Sequence, residues 1–215
     1  MEILGSQILT ELLHAISQSL LIPVIIFLLI FVIFALISLG GFISEYRSRE
    51  KLKLEEIEKF IRTLKNTNSI DEMKTTINDF KVNEEIKSSL FKVVDNYDLD
   101  EKTREALARK IIEEEEIRME KSVEKTDTIV RIGPTLGLMG TLIPMGPGLA
   151  ALGAGNIESL AQAIIVAFDT TVAGLAAATI AYVVSKIKKR WYEEDLSNLD
   201  LLITSILEIL NKKNF

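Results

Sequence analysis

The sequence predicts an all-α membrane protein, with three transmembrane helices and long helical extensions on the cytoplasmic side. Three observations predict it. All 25 Lys and Arg residues fall within 47–131 and 186–213, and none lies in 1–46 or 132–185. Every long apolar run lies in those two stretches free of Lys and Arg. The segment from Glu45 to Thr128 is dense in Glu and Lys and contains neither Pro nor Gly. Basic residues collect on the cytoplasmic side of membrane proteins, so residues 1–19 are expected outside, with residues 44–128 and 188–215 inside.

The first span is expected at 20–43, a charge-free run long enough to cross a bilayer. Pro23 sits near its start, where a missing N–H costs least. The run exceeds a signal-peptide core and follows no basic segment, which predicts a retained helix. Val24 to Phe31 are bulky and lipophilic, as suits a lipid-facing helix.

Residues 44–128 predict several helices. Leu52, Ile57, Phe60, Ile61 and Leu64 are spaced for an amphipathic helix. Ile77 and Phe80, then Ile86, Leu90, Val93 and Val94, predict shorter ones, with breaks at Asn66–Ser69 and Asn96–Asp98. From Asp100, a plausible N-cap, a charged helix is expected to continue into the second span. Because much of the apolar content serves the membrane, no separate globular core of any size is expected.

The second span is expected at 129–152 and the third at 160–187, joined by a short outer loop at 153–159. Gly133, Gly137, Gly140, Pro144 and Gly148 share one helical face, as do Ala163, Ala167, Thr170, Gly174, Ala177 and Ala181. Small-residue faces allow close helix approach, so Gly133, Gly137, Gly140, Gly174, Ala167 and Ala177 are expected to pack helices. After the basic cluster Lys186, Lys188, Lys189 and Arg190, the tail predicts one more amphipathic helix at Leu196–Leu210. Trp191 and Tyr192 are expected at the membrane interface.

Composition narrows the function. A net charge of −6 argues against nucleic acid, and the juxtamembrane basic residues can meet anionic lipid. With no Cys, disulfides and thiolate metal sites are excluded. The single His, His14, precedes the first span and reads as an ordinary surface residue. No phosphate-binding Gly-Lys-Ser/Thr loop and no nucleophile–base set is visible, so neither an enzyme nor a bound cofactor or metal is expected.

The spans hold few polar side chains. Thr141 lies midway along the second, and Thr170 and Thr171 midway along the third. Asp169 lies roughly 14 Å inside that helix, with Gln162 seven residues earlier on the same face. A carboxyl at that depth is costly and marks a candidate functional site. It equally suits a structural bond to a neighbouring helix, or a carboxyl held neutral by burial. A buried Thr often bonds only its own backbone. Thr171 and Asp169 are about 200° apart, so they cannot address one point together.

These residues carry a resemblance. Gly137-Leu138-Met139-Gly140-Thr141 resembles the glycine–leucine–glycine–threonine element of the second helix of the MotA/TolQ/ExbB proton channel family. Thr170-Thr171-Val172-Ala173-Gly174-Leu175 resembles an element of that family's third helix. The resemblance implies a homo-oligomeric ring, a pentamer, around a dimer of a single-span partner of the ExbD/TolR/MotB type. That partner, a separate chain here, carries an intramembrane Asp. It implies that Thr141 and Thr171 line the path of H+ or Na+, with Asp169, Thr170 and Gln162 either on that path or structural. Such a subunit converts ion flow into work, as in protein transport or a motor stator. A non-conducting membrane scaffold and a stand-alone channel or transporter are the alternatives.

Overall fold

The structure, a computed structural model, describes residues 2–49 and 51–213, so the very ends of the segments expected at 1–19 and 188–215 lie outside it. Its seven helices among the described residues are α1 (Glu2–Ser19), α2 (Leu21–Ser48), α3 (Leu54–Asn66), α4 (Ile70–Asp79), α5 (Glu84–Asp95), α6 (Glu101–Gly153) and α7 (Ile157–Lys213). No strand occurs among these residues. Three stretches are long and apolar enough to cross a membrane: Gln7–Ser48, Glu101–Gly153 and Ile157–Lys213. The chain divides into two compact units, residues 1–47 with 123–187, and residues 48–122 with 188–215.

The first unit holds the apolar runs. Within the segment expected only as extracytoplasmic, Glu2–Ser19 form a helix almost continuous with α2. Leu20 N–H still donates to Ile16 O and Val24 N–H to Leu20 O, at 3.2 and 3.0 Å. The ladder breaks where Pro23 cannot donate to Ser19 O. The hairpin between α6 and α7 turns sharply for a local reason. Gly155, at φ +77°, takes the left-handed conformation that ends α6. Gly155 N–H reaches Leu152 O and Asn156 N–H reaches Ala151 O, both at 2.9 Å, closing the last turn of α6. Asn156 then caps α7 by accepting from Ser159 N–H at 3.0 Å.

Against this hairpin α2 buries one face. Val24 and Leu28 pack with Ile143, alongside Leu21, Leu136 and Met139. Ala35 packs with Ile129, Ala177 and Ala181. The rest of α2 stays exposed, with Ile22, Leu29, Ile33 and Ile37 at 58–69%. That is the surface a lipid-facing helix presents.

The second unit corrects the expectation of no separate core. Ile57, Phe60 and Leu64 of α3, Met73 and Ile77 of α4, and Leu90, Val93 and Val94 of α5 are buried together with Ala108 and Ile111 of α6. Leu199, Leu202, Ile203 and Ile206 of α7 complete this core. It was missed because its two halves are far apart in sequence, and each half alone looks like a solitary amphipathic stripe. The separate tail helix at Leu196–Leu210 is corrected as well, since these residues belong to α7. Trp191 is not an interface aromatic: it is 4% exposed, with the Arg49 guanidinium 5.0 Å from its ring centre. Arg49 also pairs with Asp195 at 2.8 Å. The helix starts are capped as their sequences suggest. Ser69 accepts from Glu72 N–H, Asn83 from Ile86 N–H and Asp100 from Thr103 N–H, at 3.2, 2.8 and 3.1 Å.

Candidate functional site

The two small-residue stripes meet each other inside the hairpin. A Cβ added at Gly174 would lie 2.6 Å from Gly133 O and 3.0 Å from Gly137 Cα. One at Gly137 would lie 3.3 Å from Thr170 O, and one at Gly148 would lie 2.8 Å from Ala163 Cβ. At Gly140 it would lie 2.5 Å from Thr170 Cβ. Helices α6 and α7 are therefore in backbone contact along this seam, and only glycine fits at the closest points. Ala167 is buried in the early part of α7, and Ala177 is buried against Ala35 and Ile129.

Thr141 and Thr171 face one another across the seam, and their hydroxyls are hydrogen-bonded. Thr141 Oγ1 also lies 3.0 Å from Gly137 O and 3.3 Å from Ala167 O. Thr171 Oγ1 reaches the same Gly137 O at 3.4 Å. Both side chains are half-buried. Each hydroxyl has one proton and can also accept. The pair can thus order itself in two directions, with either threonine donating to the other while the other donates to a backbone carbonyl. Four oxygens converge there, and the Thr170 hydroxyl shares one of them, Ala167 O. A proton or a partly dehydrated cation would find acceptors there and no fixed charge.

The other polar candidates are engaged differently. Thr170 is 7% exposed and spends its hydroxyl on its own helix, at 2.9 Å from Val166 O and 3.1 Å from Ala167 O. Its role within the chain is to fill the space that Gly140 leaves. Asp169 and Gln162 lie on the exposed face of α7, with Phe168 beside them at 68% exposure. The threonine pair and Asp169 thus address different surroundings, as the 200° between them requires.

Two polar contacts were not anticipated. Ser185, 4% exposed, donates to Asp127 Oδ1 where the apolar stretch of the hairpin gives way to charge. The register that pairs Thr141 with Thr171 also pairs these two, so locating the turn at Gly155 would have revealed them. Gln18 Nε2 donates to Ile143 O at 3.1 Å. No local pattern announces that contact.

The sequence model of the MotA/TolQ/ExbB proton channel family matches residues 74–200, more than half of the chain. The chain belongs to this family. The matched region contains the whole hairpin, both threonines and much of the second unit. Among curated protein sequences none matches the chain. Membership in a proton channel family and three apolar helices place this MotA/TolQ/ExbB member in a membrane, with a channel-type role.

Proposed function

We propose that this MotA/TolQ/ExbB protein is the ion-conducting subunit of a machine driven by an ion gradient. The reading is supported above all by the paired hydroxyls of Thr141 and Thr171, set on backbone carbonyls within a small-residue seam. In this reading several copies, most simply five, form a ring around a dimer of a separate single-span partner. Helices α6 and α7 face the ring's interior and α2 faces lipid, consistent with its exposed bulky side chains. The exposed face of α7 that carries Asp169 and Gln162 meets a neighbouring copy.

The segregation of Lys and Arg supports an outside N-terminus, an outside turn at Gly155 and an inside second unit. The transported ion is H+ or Na+, with no bound cofactor and no enzymatic chemistry. The hydroxyl pair would offer oxygens to the ion, or to a carboxylic acid of the partner, without the cost of burying a fixed charge. A charge crossing the membrane releases about 2.3 kcal/mol per 100 mV, so several ions per step suffice for mechanical work.

The test is ion flux in liposomes containing the ring and its partner. Thr171→Val keeps shape and removes the hydroxyl. It should abolish partner-dependent flux while the oligomer still assembles. Asp169→Asn should be milder. A conducting Thr171→Val beside a dead Asp169→Asn would move the ion path to the exposed face of α7.

A further inference from the structure

Helix α6 contains Pro134, Pro144 and Pro147. Each proline removes the N–H that would bond the carbonyl four residues earlier, so Val130 O, Gly140 O and Ile143 O lose their usual donors. Water cannot replace those donors in hydrocarbon, and broken helices are tolerated there only where a neighbouring group supplies a substitute. For Ile143 O the substitute is visible. Gln18 Nε2 donates to it at 3.1 Å from a half-buried position. The donor comes from 125 residues away in the chain.

Ile143 lies two residues after Thr141 and directly before Pro144. Its carbonyl therefore sits in the proline-interrupted turn that follows Thr141. The backbone there is held on one side by the seam with α7, where Gly148 packs on Ala163. On the other side it is held by Val24 and Leu28 around Ile143, and by Gln18. Gln18 belongs to a polar stripe, Gln7, Glu11, His14 and Gln18, at spacings of 4, 3 and 4. Gln7, Glu11 and His14 are exposed, and Gln18 is the half-buried member of this stripe. Leu21, one helical turn after Gln18, packs on α6 together with Val24 and Leu28. Helix periodicity thus aims Gln18 at α6.

We propose that Gln18 is a positioning residue for the ion path: it supplies the hydrogen bond that Pro147 removes and so fixes the backbone of α6 just beyond Thr141. The inference rests on the reading of Thr141 and Thr171 as the path, but the hydrogen-bond exchange can be tested without it. If Gln18 replaces the missing N–H of residue 147, restoring that N–H makes Gln18 dispensable. The experiment is a double-mutant cycle of Gln18→Leu and Pro147→Ala, read by thermal unfolding of the purified oligomer. Gln18→Leu should lower the midpoint clearly in the native background and little or not at all beside Pro147→Ala. Equal shifts in the two backgrounds would overturn the proposal, whatever the absolute stability of either variant.

A second readout separates positioning from mere support. In the liposome assay Gln18→Leu should reduce partner-dependent flux roughly fivefold, the loss expected from one buried hydrogen bond. Gln18→Glu can donate only when protonated. Its flux relative to the native protein should rise as pH falls toward about 4.3, whereas Gln18→Leu stays flat. A flat ratio for Gln18→Glu, or native flux in Gln18→Leu, would overturn the positioning role. Non-additive unfolding combined with no flux even in the native protein would uphold the hydrogen-bond exchange, overturn the positioning role and sink the channel reading itself.

Discussion

In the first unit, the closest helix contact is made by residues with almost no side chain. Gly174 approaches Gly133 and Gly137 backbone to backbone, and Thr170 fills the notch at Gly140. In the second unit the helices are separated by bulk: Leu64, Met73, Ile77, Leu90, Leu202 and Ile206 are all fully buried. The difference follows from the solvent. Water drives large apolar side chains together, so a helix in water gains most by burying Leu and Ile. Lipid offers no such drive, and helices there gain by close van der Waals contact between smooth surfaces. The same chain therefore places its large side chains inside one unit and outside the other. In α2, Leu29 and Leu36 are 58% and 55% exposed.

The contrast can be broken most sharply by deleting bulk from the second unit. Leu64→Ala should cost about 2–5 kcal/mol, because it empties a site with no solvent access. The same truncation at Leu36 should change stability by less than about 0.5 kcal/mol. Thermal unfolding of both variants in one detergent checks the pair, and equal losses would show that the units are not held differently.

The converse change adds bulk to the first unit. Gly174→Ala should cost about 1–3 kcal/mol, since the new methyl meets backbone atoms that have no room to move. Gly146→Ala meets nothing within 4 Å and serves as the control. A neutral Gly174→Ala would mean that the seam is looser than described. Gly174 faces its own chain's α6, so this substitution tests the hairpin and not a contact between copies.

The smallest effect sharpens the picture of helix starts. Hydrogen bonds from the Thr103 hydroxyl and backbone N–H hold the Asp100 carboxyl below its usual range. A lowered folded-state value means that its contribution is present above the unfolded-state value and is lost as pH falls through the folded one. Asp100→Asn keeps the acceptor and removes the titration. The variant should therefore match the native protein near neutrality and lose less stability as pH falls below about 4. Parallel unfolding curves through that window would remove Asp100 from the account.

Much of this protein was legible in its sequence because the signals are local. Charge segregation, apolar run length and glycine spacing act within one helix, and they specify three spans and an antiparallel hairpin, while the family resemblance singled out Thr141 and Thr171. The caps at Ser69, Asn83 and Asp100 are local too. What the sequence left open depends on segments far apart in the chain. Leu199 to Ile206 could not be assigned to a core with α3, α4 and α5 until both ends of the second unit were seen together. The small-residue stripes could have faced another copy, and only the register set by the Gly155 turn placed them against each other. Gln18 reads as one more polar residue before a span, because its partner is a carbonyl freed by a proline in another helix. Such a carbonyl is invisible in a one-dimensional pattern. Every residue has one, and only the packing of α1 and α2 on α6 decides which of them receives a replacement donor.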